Sequence, residues 1–129
     1  MPDLRTPVDR QEWLFRRGRA TPEKNYMNPD GTATSRVFKL REKDNGELSV
    51  DIKSMTTPEI AITDRTKFML FEIANQEVVN AGLATYHDPL TAEVHSVDNP
   101  AHAVIIGLTL EDDVLPGILA RKSRRVRIW

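Results

Sequence analysis

The stretch Leu48-Ser49-Val50-Asp51-Ile52-Lys53 alternates apolar and polar residues without a break. A period of two is the signature of a strand with one buried face. Leu48, Val50 and Ile52 are therefore assigned to a core, and Ser49, Asp51 and Lys53 to the opposite face. Just upstream, Asp44-Asn45-Gly46 offers residues that tolerate positive φ. Before that, Ser35-Arg36-Val37-Phe38-Lys39-Leu40 reads as a second strand. Residues 35–53 are thus expected to form a β-hairpin.

Working towards the C-terminus, Thr56-Thr57-Pro58-Glu59 starts a helix. Thr57 can cap it, Pro58 suits the first helical position and Glu59 favours the positive dipole end. This helix is expected to run to about Arg65. Phe68-Met69-Leu70-Phe71-Glu72-Ile73 is apolar on both faces, as in a central strand. Asn75 is placed as the cap of a second short helix that Gly82 stops. Leu83 to Tyr86, Val94 to Val97 and His102 to Leu108 read as strands, the last with His102, Val104, Ile106 and Leu108 on one face. A final helix starts near Asp112 or Asp113, with Pro116 in its first turn and Val114, Leu115, Ile118 and Leu119 as its apolar stripe.

Towards the N-terminus, Gly18, Pro22, Pro29 and Gly31 punctuate a long loop over residues 18–34, with a turn at Asn28-Pro29-Asp30-Gly31. Trp13-Leu14-Phe15 fits an edge strand with Trp13 and Phe15 on one face, or a single helical turn. Residues 1–12 read as an irregular lead-in. The sum is one α+β domain over residues 13–129, with a mixed or antiparallel sheet of five to six strands and two to three short helices.

A chain of 129 residues fits one such domain. With 40% hydrophobic and 29% charged residues, it has the balance of a globular protein and not of a disordered one. The net charge of −1 supplies no overall field towards nucleic acid or a membrane. There is no cysteine, which removes disulfides, thiolate metal sites and a cysteine nucleophile. No run reaches the length of a membrane span, and the first residues lack a signal-like apolar core. The simplest expectation is a cytoplasmic protein that does not engage the membrane. Phosphate-binding glycine loops and the nucleophile elbow are missing, so no cofactor is expected; the histidine spacing matches no ligand motif such as His-Glu-x-x-His, so no metal is expected either.

Three groups of residues carry potential chemistry. His87, His95 and His102 fall within one segment, with Asp88 and Asp98 placed to orient a ring. Two converging imidazoles could serve as base and acid in RNA cleavage, with Arg16 or Arg36 on the phosphate. Such histidines beside Asp-Pro and Asn-Pro turns also bond loop backbone, and that bracing role is the leading expectation. Arg16 with Ser35 forms the second group, reminiscent of the way ADP-ribosyltransferase-like folds hold NAD, although the leading expectation is that Arg16, Arg17 and Arg36 are solvated surface cations whose stems cover the core. The acidic partner that chemistry needs has only Glu93 and Glu111 as candidates. The third group is the basic end: Arg121, Lys122, Arg124, Arg125 and Arg127, followed by Trp129. Arg121, Arg124 and Arg125 are expected to share a helix face, able to dock an acidic protein surface or a phosphate backbone, with Trp129 as anchor.

Ser35-Arg36-Val37-Phe38-Lys39, Leu48-Ser49-Val50-Asp51, His87-Asp88-Pro89-Leu90 and Asp98-Asn99-Pro100-Ala101-His102-Ala103 together resemble a family of small bacterial proteins of unknown function. The resemblance implies a bacterial source and a compact domain, and transfers no activity. The expectation from the residues is a binding or interaction module that acts on a macromolecular partner, most simply a protein, with nucleic acid as the alternative through the basic end. The competing class is a small histidine-dependent enzyme acting on RNA, or less favourably an NAD-using transferase.

Overall fold

The computed structural model describes residues 5–20, 25–92 and 98–127. A six-stranded sheet forms the frame: β1 (Trp13–Arg19), β2 (Glu47–Ile52), β3 (Phe68–Ala74), β4 (Ala84–His87), β5 (His102–Ile106) and β6 (Arg124–Val126). Their spatial order is β4-β5-β2-β1-β3-β6, and every neighbouring pair is antiparallel. Among the described residues the sheet is accompanied by the short helices α1 (Pro58–Ile62), α2 (Asn75–Asn80) and α3 (Val114–Lys122).

Strand alternation separates two cores. Leu14 of β1, Leu48, Val50 and Ile52 of β2, Met69, Phe71 and Ile73 of β3 and Ala103 and Ile105 of β5 share the main one with Phe38, Val78 and Leu119. The opposite face carries a smaller cluster in which Phe15 and Leu70 meet Ala61 and Ile62 of α1. Trp13–Leu14–Phe15 is therefore part of an interior strand, paired on both sides, and not an edge. Its neighbour β3 is apolar on both faces because both cores use it.

The expected hairpin over residues 35–53 does not form. Ser35–Phe38 and Glu42–Asp44 are short 3₁₀ turns, and β2 pairs with β5 and β1 instead. The reason lies in Val37 and Phe38, which are both buried in the main core. Consecutive residues on a strand face opposite ways; the tighter turn sends both side chains inward, against α3. Asn45 and Gly46 do take positive φ, 53° and 79°, but they lead from a 3₁₀ turn into β2. The assigned core face of β2 stands, with Leu48, Val50 and Ile52 all buried.

Other local expectations shift by smaller amounts. Helix α1 ends at Ile62, where Thr63 adopts φ 62°. Asn75 makes no side-chain cap: it is fully buried, donates to the carbonyls of Val8 and Asp9 and accepts from the Thr85 hydroxyl at 2.6 Å. Leu108 leaves the face of His102 and Val104 for the main core, because Gly107 at φ 116° breaks the alternation. The lead-in is held at β4, where Thr6 O accepts from His87 N and Val8 N donates to Thr85 O. The strand expected over Val94 to Val97 lies outside the described residues.

Gly18 decides how the site below is assembled. A Cβ there would stand 3.2 Å from Val37 Cγ2 and 3.3 Å from Phe71 Cε2. Glycine lets the Ser35–Phe38 turn and Tyr26 come close to β1.

Candidate functional site

The β1–β2 ladder is short. It joins Leu14 to Ile52 and Phe15 to Asp51 and stops. Ile52 N bonds Ala101 O on the β5 side, so alternation turns the main-chain groups of Asp51 and Ser49 towards β1. Beyond Phe15 no β1 main-chain partner reaches them in the ladder. The Arg16 side chain replaces it: Nη1 donates to Ser49 O at 2.9 Å, and Nε donates to Val37 O at 2.8 Å. This guanidinium ties β1, β2 and the 3₁₀ turn at one point. Its pKa is pushed down to about 10, first by burial and then by the charge of Arg41. At neutral pH it remains a cation.

Arg16 alternates with Leu14 and Gly18 and so lies on the main-core face, at its rim. There it lines a pocket of about 370 Å³ with Tyr26, Ser35, Arg36, Lys39, Arg41 and Asp113. Four cations face one carboxylate in that lining. Lys39 is neutralised, donating to Asp113 Oδ1 at 2.7 Å and to Asp112 O at 2.9 Å. Arg41 pairs with Asp44 at 3.3 Å. Arg36 lies over the Tyr26 ring at 5.8 Å and has no carboxylate partner among the described residues. Arg16 has only its two main-chain carbonyls, which leaves the Nη2 donors without a protein acceptor among the described residues. The Ser35 hydroxyl is exposed at the same pocket. The pocket can do one thing chemically: attract and hydrogen-bond an anion.

The histidine segment builds a different cleft, on the opposite face. It measures about 250 Å³ and is lined by Phe15, Arg17, Ser49, Asp51, Thr63, Leu90, Asn99 and His102, with Arg16 and Val50 at its base. His102 Nδ1 lies 2.8 Å from Asp88 O and 3.5 Å from Asp88 Oδ2. A bond to a main-chain carbonyl requires Nδ1–H, so Nε2 is left to accept from the Ser49 hydroxyl at 3.2 Å. Asn99 Nδ2 donates to Asp51 Oδ1 at 2.8 Å. Arg17 donates to Ala61 O at 2.8 Å and lies 3.9 Å from Asp51 Oδ2. His87 does not line this cleft; its Nε2 meets Pro100 O at 2.7 Å. Each described histidine thus holds a loop carbonyl, and the two do not converge on one open cleft. Asp98 accepts from Ala92 N at 2.7 Å, closing the loop after β4. His95 and Glu93 lie outside the described residues.

The basic C-terminal end is not one helix face. Helix α3 stops at Lys122, where Ser123 Oγ bonds back to Ala120 O at 2.8 Å. Arg124 and Arg125 belong to β6, in register with Glu72 and Phe71 of β3, so alternation points them apart. Arg124 Nε donates to Glu72 Oε2 at 2.7 Å, with Lys53 on the other carboxylate oxygen at 2.9 Å. It also covers the Trp13 ring at 4.6 Å. Burial favours the neutral Glu72 carboxyl, but the two cations outweigh burial and hold its pKa below the usual carboxylate range. Arg125 contacts Met27 Sδ, and Arg121 is exposed on α3. Trp129 lies outside the described residues.

The structure therefore brings Arg16, Ser35 and Arg36 together and separates them from His87, His102 and the basic end. Sequence reasoning passed over Tyr26, Lys39 and Arg41. For Lys39 and Arg41 the signal is the density of cations between residues 36 and 41, which a strand assignment splits between two faces; Tyr26, inside the 18–34 loop, carries none. Comparison with known proteins adds no relative: no family model, no curated protein and no solved structure matches the chain. Among the described residues no helix is long and apolar enough to cross a membrane.

Proposed function

We propose that the protein is a binding module, acting in the cytoplasm, that engages an acidic group of a partner protein through the pocket of Arg16, Tyr26, Ser35, Arg36, Lys39 and Arg41. One observation carries this reading. Two guanidiniums line a common pocket with no carboxylate partner among the described residues, while the other two cations of that pocket, Lys39 and Arg41, are neutralised by Asp113 and Asp44. A cation held by the fold and left unpaired offers affinity to an incoming anion without first breaking an internal ion pair.

The alternatives have less support. Base-and-acid cleavage of RNA asks for two imidazoles at one spot, and His87 and His102 each hold a carbonyl elsewhere. An NAD-using transferase would find Arg16 and Ser35 together, but the one carboxylate of that pocket, Asp113, is held by Lys39 at 2.7 Å. The test is an NMR titration with a glutamate-rich peptide. Saturable shifts confined to Tyr26 and residues 35–41, lost in Arg36→Glu, are expected. No response of the pocket to any acidic probe, peptide or phosphate, would remove the proposal.

A further inference from the structure

We infer that the group this pocket takes is a phosphate monoester dianion carried on a side chain of the partner protein; the inference rests on the binding reading above and narrows it. The charge balance comes first. With Lys39 and Arg41 already paired, Arg16 and Arg36 leave two positive charges that no carboxylate of the described residues neutralises. One carboxylate would neutralise half of that; a phosphate monoester carries close to two negative charges at neutral pH.

Donor geometry points the same way. The free Nη2 edge of Arg16, the guanidinium of Arg36 and the exposed Ser35 hydroxyl come from β1 and from the Ser35–Phe38 turn and line one pocket. Donors arriving from separate segments suit the three acceptor oxygens of a tetrahedral phosphate better than the planar pair of a carboxylate. The volume of about 370 Å³ leaves room beside the phosphate for an aliphatic or aromatic stem, and Tyr26 supplies an apolar wall for it.

The surroundings select a single phosphate over a chain of them. Asp113 lines the pocket and its carboxylate accepts from Lys39, and the Asp44 carboxylate accepts from the rim residue Arg41. A nucleic acid needs a basic track that follows its backbone. Here the carboxylates interrupt any such track within one residue's reach of the pocket, and the whole chain carries a net charge of −1. The pocket therefore suits a point-like dianion better than a polyanion.

The experiment is calorimetric titration of the intact protein with three probes: phenyl phosphate, benzoate and a short oligouridylate. Phenyl phosphate is expected to bind about tenfold more tightly than benzoate. Its affinity should rise severalfold between about pH 5 and about pH 8, as its second proton leaves near ~6. Arg36→Ala should lower that affinity about tenfold with little change in thermal stability, since the Arg36 side chain makes no hydrogen bond to the described residues and only covers the Tyr26 ring. Equal binding of benzoate and phenyl phosphate, flat with pH, would overturn the phosphate assignment and leave the anion pocket standing. Silence from phenyl phosphate and benzoate alike would overturn both. Tight, steeply salt-dependent binding of oligouridylate that Arg36→Ala abolishes would overturn the protein-borne phosphate in favour of RNA.

Discussion

Two clefts flank the same truncated β1–β2 ladder, and Arg16 lines both. On the main-core face, four cations gather around the pocket and two of them have no carboxylate partner among the described residues. On the other face, Ser49, His102, Asp88, Asn99, Asp51 and Arg17 are bonded to one another or to main chain. The histidine cleft spends its polar groups on bracing: His102 ties β5 to Ser49 of β2 and to the turn after β4. The cationic pocket holds polar groups in reserve. The difference teaches that a cluster of reactive residue types is a weaker sign of function than a few charges the fold has left unpaired.

The largest effect that could break this contrast is Arg16→Ala. It leaves Val37 O and Ser49 O without their donor, and each such loss costs about 1–3 kcal/mol. A loss of about 3 kcal/mol in urea denaturation is expected, together with loss of anion binding. Arg16→Lys should keep the charge but not the two-carbonyl fork, and recover only part of either. Glu72 marks the opposite case, a buried carboxylate already neutralised. Glu72→Ala removes the charge-assisted bonds from Lys53 and Arg124 and should cost about 2 kcal/mol with anion binding intact. Because the folded pKa of Glu72 is lowered, its contribution is full above the ordinary carboxylate range. It is lost as pH falls through the folded value, so the stability gap between the parent and that variant should be full near neutral pH and close in acid.

A smaller effect sharpens the other cleft. His102→Ala removes a brace and should cost about 1 kcal/mol, read as a lower melting temperature, with phenyl phosphate affinity unchanged. Smallest of all, Ser49→Ala should stay within about 0.5 kcal/mol of the parent. A hydrolytic activity towards esters that vanished in Ser49→Ala would show that the bracing reading of this cleft is wrong.

Much of the frame was legible in the residues. Strict alternation found β2 and its buried face, and Thr57-Pro58 found the start of α1, with Thr57 Oγ1 accepting from Ile60 N. Val37 and Phe38 misled because their residue types favour strands, whereas burial of both requires a tight turn. That one substitution of turn for strand hid the pocket, since it moved Arg36, Lys39 and Arg41 around a common opening. Arg16 was visible as a candidate, but its role in closing an interrupted ladder depends on a pairing no local pattern encodes. The basic end was misread for a related reason: Ser123 ends α3, and Arg124 is drawn to Glu72, a partner distant in sequence.

On this reading anion recognition belongs to the pocket of Arg16 and Arg36, which have no carboxylate partner among the described residues, and not to the histidine cleft. The most direct test follows the arginine side-chain and backbone NMR signals of both clefts while phenyl phosphate is added. The expected result is saturable movement of the Arg16 and Arg36 Nε–H signals and of Tyr26 and Ser35, with Ser49, Asn99 and His102 unmoved. Saturable movement centred on Arg17, Ser49 and His102, with Arg36 silent, would contradict it.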